Sequence, residues 1–99
     1  MSLLETLQIP TNALDVFIRS VEISAYLPGR VRLYAKSMVG NPSLEAEVRR
    51  KLLAFKEIER VETSQVTGSI LILYQPAVLR RNPELAKVET YIMTHVKGR

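Results

Sequence analysis

Val21-Glu22-Ile23-Ser24-Ala25-Tyr26-Leu27-Pro28-Gly29-Arg30-Val31-Arg32-Leu33-Tyr34-Ala35-Lys36 is the stretch on which the fold turns. Val21, Ile23 and Ala25 alternate with Glu22 and Ser24, and Val31, Leu33 and Ala35 alternate with Arg32 and Tyr34. That period of two predicts two strands, each with one buried face. Leu27-Pro28-Gly29-Arg30 between them reads as a type II turn: proline presets the first central dihedral and glycine accepts a positive φ at the second. Type II turns splay hairpins more than the primed types do, so a sharp bend in one long strand is the competing reading.

Toward the C-terminus, Asn41-Pro42-Ser43-Leu44 opens a helix that runs to about Phe55, with Asn41 capping free N–H groups and Pro42 where its missing donor is harmless. Leu44, Val48, Leu52 and Phe55 form its apolar stripe. Strands are predicted over 58–63 and 69–74, joined at Gln65-Val66-Thr67-Gly68. The second is apolar on both faces and therefore central, with Ile70, Ile72 and Tyr74 on one side and Leu71 and Leu73 on the other. Asn82-Pro83-Glu84-Leu85 opens a second helix with the same cap chemistry, its inner face Leu85, Val88 and Ile92.

Strand, helix, strand, strand, helix is the order of an α+β, ferredoxin-like two-layer sandwich: an antiparallel sheet with two helices on one face. Residues 21–99 form that domain. Residues 1–20 are expected to form an N-terminal arm or an additional helix or strand, in which Leu3, Leu4 and Leu7 make one apolar helical turn, Pro10 interrupts it, and Leu14, Phe17 and Ile18 resume after Asn12. The closing strand expected after the second helix is missing, and either the strand before Pro28 or a second subunit fills that edge. The arm, or a symmetric dimer contact, is expected to cover the open sheet face.

At 99 residues, with 46% apolar and 24% charged, the composition is that of one globular core rather than of a disordered chain. The absence of cysteine excludes disulfides, a thiol nucleophile and every thiolate metal site. No apolar run approaches the roughly 18 residues of a membrane span. Met1 to Pro10 lacks a basic flank and contains Glu5, so it does not read as a secretory signal, and the expected location is the cytoplasm. A net charge of +4, spread along the chain, permits contact with nucleic acid or anionic lipid without requiring it.

Leu27-Pro28-Gly29-Arg30-Val31-Arg32-Leu33, then Gly40-Asn41-Pro42, then Glu62-Thr63, Val66-Thr67-Gly68-Ser69-Ile70-Leu71-Ile72 and Tyr74-Gln75-Pro76 follow in that order. From about Ala25 to Pro76 the chain resembles the divergent heavy-metal-associated domains of bacteria, found as small proteins and at the N-termini of some metal-pumping P-type ATPases. The resemblance implies a ferredoxin-like fold and a history in metal handling. Better-known members hold soft metals with a Cys-x-x-Cys loop between the first core strand and first helix; here that loop is Ser37-Met38-Val39-Gly40. One thioether with no second soft ligand nearby does not make a copper(I) or zinc site, so no metal or other cofactor is expected.

His95, the single histidine, reads as a partly exposed residue near a helix C-terminus, where positive charge is favoured. The pairs Glu45/Glu47 and Glu57/Glu59 read as solvated surface, no serine has a context linking it to a base, and the isolated glycines form no phosphate loop. Catalysis is not expected. A partner is expected to bind at Arg30, Arg32, Tyr34 and Lys36, taken to share one strand face, and at the loop residues Ser37, Met38 and Asn41. That partner is a second copy or another protein, a metal-transporting ATPase being the kind the resemblance implies. The alternative is nucleic acid on the basic and aromatic sheet face, with Tyr34 and Tyr74 as the aromatic pair. The Arg80-Arg81 pair would help attachment at a membrane surface, although no helix combines a basic face with large exposed hydrophobes.

Overall fold

A computed structural model describes residues 9–96. The apolar turn of Leu3, Leu4 and Leu7 lies outside them. In chain order the elements are α1 (Ile9–Ser20), β1 (Glu22–Leu27), β2 (Arg30–Tyr34), a 3₁₀ turn (Lys36–Met38), α2 (Pro42–Leu53), β3 (Ile58–Ser64), β4 (Ser69–Tyr74), α3 (Pro76–Leu79) and α4 (Pro83–His95). The strands form one antiparallel sheet in the order β1-β2-β4-β3. Here β2, α2, β3, β4 and α4 are the strand, helix, strand, strand, helix of the ferredoxin-like sandwich. The edge left for a closing strand is filled by β1, so the first of the two readings of that edge holds.

The hairpin closes as the sequence predicts. Gly29 has φ +89°, and an added Cβ there would sit 2.7 Å from the Tyr74 carbonyl oxygen, so only glycine satisfies both the turn and the close approach of β4. Within β1 the alternation fails at one point. The register slips between Ile23 and Ala25, a bulge that leaves Ser24 unpaired and makes Tyr26 the partner of buried Val31 while Ala25 pairs with Arg32. Ala25, expected on the buried face with Ile23, is therefore exposed, and Tyr26 turns toward the core.

Asn41 and Asn82 cap α2 and α4 as expected: Asn41 Oδ1 accepts from Leu44 N at 3.1 Å, and Asn82 Oδ1 from Glu84 N at 3.0 Å and Leu85 N at 3.4 Å. Val48 and Leu52 of α2, Leu85, Val88 and Ile92 of α4, and Val31, Leu33, Ile70, Ile72 and Tyr74 of the sheet make the core. The helix α1 joins this same layer. Leu14 and Ile18 are buried in that core, and Arg19 lies over the Tyr91 ring of α4 at 4.6 Å from its centroid. Residues 14–20 of the arm thus pack among the helices, not over the open sheet face; the i, i+4 pair Leu14/Ile18 finds its apolar partners there.

Candidate interaction surfaces

Three features outside the core carry chemistry, and the first is the face of the sheet turned away from the helices. Pairing places Arg30 between Leu27 and Leu73, Arg32 between Ala25 and Leu71, and Tyr34 between Glu22 and Ser69. Arg60 and Glu62 extend the same rows on β3 and pair with each other at 2.8 Å. Among the described residues no element covers this face. Leu71 and Leu73 at its centre are only partly buried, and Leu27 is 60% exposed. Ile70 and Ile72 lie on the opposite side, in the core.

The loop from Ala35 to Asn41 is the second feature, and it divides the expected partner-binding set. Met38 is fully buried, because the 3₁₀ turn, closed by Met38 N donating to Ala35 O at 3.0 Å, drives its side chain into the core. It is not a contact residue. Asn41 spends its side chain on the α2 cap. Lys36 and Ser37 lie past the end of β2, in the 3₁₀ turn, so Lys36 is not on the strand that carries Arg30 and Arg32; both line a groove that Tyr34 also borders. The loop is clasped to the β3–β4 turn: Ala35 N donates to Gly68 O and Gly40 N to Gln65 O, both at 2.8 Å.

That groove, about 1130 Å³, is the third feature. Leu14 and Phe17 of α1 form one wall; Leu44, Val48 and Leu52 of α2, with Phe55 beyond its end, form the other. Tyr34, Lys36, Glu47 and Lys51 add polar atoms, Lys51 being paired with Glu47 at 2.9 Å. Sequence reasoning missed it, although the i, i+3 spacing of Leu14 and Phe17 was a usable sign of a second apolar strip on α1.

The buried polar centre of the molecule belongs to none of these surfaces. Glu89 of α4, 4% exposed, accepts from Tyr74 Oη at 2.7 Å and Tyr26 Oη at 2.9 Å, while Arg80 Nε donates to its other oxygen at 2.7 Å. Burial pushes the Glu89 carboxyl up, but the hydrogen bonds from Arg80, Tyr74 and Tyr26 and the charge of Arg80 outweigh that and hold it below the ordinary glutamate range. Burial, then the Glu89 hydrogen bond and charge, drives the Tyr74 phenol well above its usual range. Tyr74 lies in the core, on the opposite side of the sheet from Tyr34, so the two do not form one aromatic face, and Arg80 is engaged with Glu89.

The carboxylates read as pairs are separately engaged. Glu45 accepts from Thr63 Oγ1, Glu47 from Lys51, Glu59 from Gln75 Nε2 and Glu57 from Asn82 Nδ2. His95 is exposed and stacks on Tyr91 with centroids 3.9 Å apart. Among the described residues no three His, Cys, Asp or Glu converge as a metal-donor set, and no helix is long and apolar enough to cross a membrane. Residues 14–94 match the family described as heavy metal associated domain 2. No curated protein and no solved structure matches the chain.

Proposed function

The chain belongs to the heavy metal associated domain 2 family, and from that premise we propose that it is a non-catalytic accessory module of metal handling that docks a protein instead of holding the ion. The observation that carries this reading is the face of the sheet left uncovered among the described residues, where Leu71 and Leu73 lie between Arg30 and Arg32 of β2 and Arg60 and Glu62 of β3, with Tyr34 at the end of the β2 row. Partly exposed leucines framed by arginine and tyrosine are the composition of a contact surface: apolar anchors at the centre and amphipathic side chains at the rim.

The donor chemistry of the loop between β2 and α2 argues against a resident metal. Its single soft atom, the Met38 thioether, is buried in the core; Asn41 is occupied as a cap, and Ser37 offers only a neutral hydroxyl. A soft ion needs two or more thiolate, thioether or imidazole donors converging, and these residues do not fit one.

The first partner to test is a second copy. A two-fold contact through this face would bury Leu71 and Leu73 of both copies and bring the arginines of β2 toward Glu62 at the far side of the sheet. A domain of a metal-transporting ATPase is the hetero-partner in keeping with the family. The cytoplasm, with its reducing thiol pool, is the compartment where a cysteine-free module of this kind would work.

Elemental analysis after equilibration with copper(I), zinc, nickel and iron, run with the solution mass, tests the reading. No retained stoichiometric metal and a dimer mass that Leu71→Asp converts to a monomer are the expected results. Stoichiometric metal would overturn it.

Nucleic-acid binding is the second reading, favoured by Arg30, Arg32 and Arg60 on one face beside Tyr34. It predicts that Arg32→Ala with Tyr34→Ala weakens retention of single-stranded RNA at low salt; unchanged retention would end it.

A further inference from the structure

We propose that β3 is a self-pairing edge: two copies of this chain join their β3 strands antiparallel about a two-fold axis at Val61, setting Arg60 of each copy opposite Glu62 of the other. The surface is the rim of the sheet rather than its open face, and the inference is independent of the function proposed above.

Geometry separates the two edges of the sheet. β1 and β3 each have one side on which no strand pairs among the described residues. Unpaired N–H and C=O groups on such a side are a template for a further strand. The bulge at Ser24 interrupts β1 in mid-strand, and β1 carries a single charged residue, Glu22, so no charge pattern sets a register there. In β3 the irregularity falls between Ile58 and Arg60, at the start of the strand, and pairing with β4 runs unbroken from Arg60 to Ser64.

Charge selects both the occupant and the register. Arg60 and Glu62 are two apart, so they share one face of the sheet, and both side chains are exposed. With the axis at Val61, each arginine stands opposite a glutamate of the partner copy. With the axis one residue to either side, at Arg60 or at Glu62, a residue meets its own copy and like charges face each other. Opposite charges across a pair stabilise and like charges destabilise, so one register is favoured over both its neighbours. A run of one sign would block the edge altogether, whereas opposite signs two residues apart block only the wrong registers. The 2.8 Å bond between Arg60 and Glu62 within each chain then becomes part of a ladder of four charges. One strand edge is a small interface, below the roughly 1,200 Å² at which stable complexes begin, so the pairing depends on protein concentration and weakens with salt.

Arg60→Glu and Glu62→Arg each set like charges across the edge, whereas an equimolar mixture of the two variants sets opposite charges at every place in the ladder. In sedimentation of the full chain at low salt and rising concentration, the pairing step is expected to weaken about tenfold in each variant and to return in the mixture to at least the wild-type level. Amides of residues 60–64 should exchange more slowly in the mixture than in either variant alone, because the pairing adds backbone hydrogen bonds. A contact through the open face behaves differently: Arg60→Glu leaves it intact, Glu62→Arg weakens it, and the mixture lies between the two. A mixture that associates no more than either variant alone, or one whose amides at 60–64 gain no protection, would overturn the proposal.

Discussion

Glu89 shows how much one residue can carry without any sign in its neighbourhood. It receives two tyrosine hydroxyls and an arginine from β1, β4 and the turn after α3, and so ties α4 to the sheet. Its partners are 63, 15 and 9 residues away in sequence, and no periodicity marks them as a set. Read along the chain, Arg80 is half of a basic pair and nothing beside Glu89 singles it out. Replacing Glu89 with Leu orphans two hydroxyls and a guanidinium; each buried donor left unpaired costs about 1–3 kcal/mol, so urea unfolding at neutral pH should show a loss of at least that size. The pH dependence has a definite sign. A carboxyl held below its unfolded value stabilises above the ordinary glutamate range and loses that contribution as pH falls through its folded value. The stability gap between wild type and Glu89→Gln should therefore narrow on acidification.

At the scale of elements, the caps and turns were readable because their chemistry is local. Asn41-Pro42 and Asn82-Pro83 each declare a helix start, and Asn41→Ala or Asn82→Ala should each cost about 1 kcal/mol in chemical denaturation. The clasp between the loop after β2 and the β3–β4 turn was not readable, since it joins segments some thirty residues apart through backbone groups. It explains Gly68, whose φ is +78° and whose added Cβ would sit 2.6 Å from the Ala35 carbonyl oxygen. Gly68→Ala should cost about 1–3 kcal/mol and lower the melting temperature. Two elements departed from the pattern for steric reasons. The bulge at Ser24 moves Tyr26 inward to reach Glu89, out of the face its spacing assigns, and the 3₁₀ turn buries Met38, a loop residue by sequence.

For the whole molecule, the decisive event is that β1 fills the edge beside β2 while α1 enters the helical layer. A variant beginning at Pro28 would expose the backbone of β2 and remove Leu14, Ile18 and Ile23 from the core. It should lose cooperative unfolding and aggregate by light scattering. The sequence by itself determined the strands, the two capped helices, the central place of β4 and the family likeness. All of these rest on residue type and short-range spacing. Only the tertiary structure decided that α1 packs against α4, that Lys36 and Ser37 line a groove while Arg30 and Arg32 face away from it, and that Glu89 is a buried hub. The physical reason is common to all three. Which side of a layer an element takes depends on which apolar surfaces remain uncovered once the others have packed, and that is a property of the assembled core rather than of any stretch of chain.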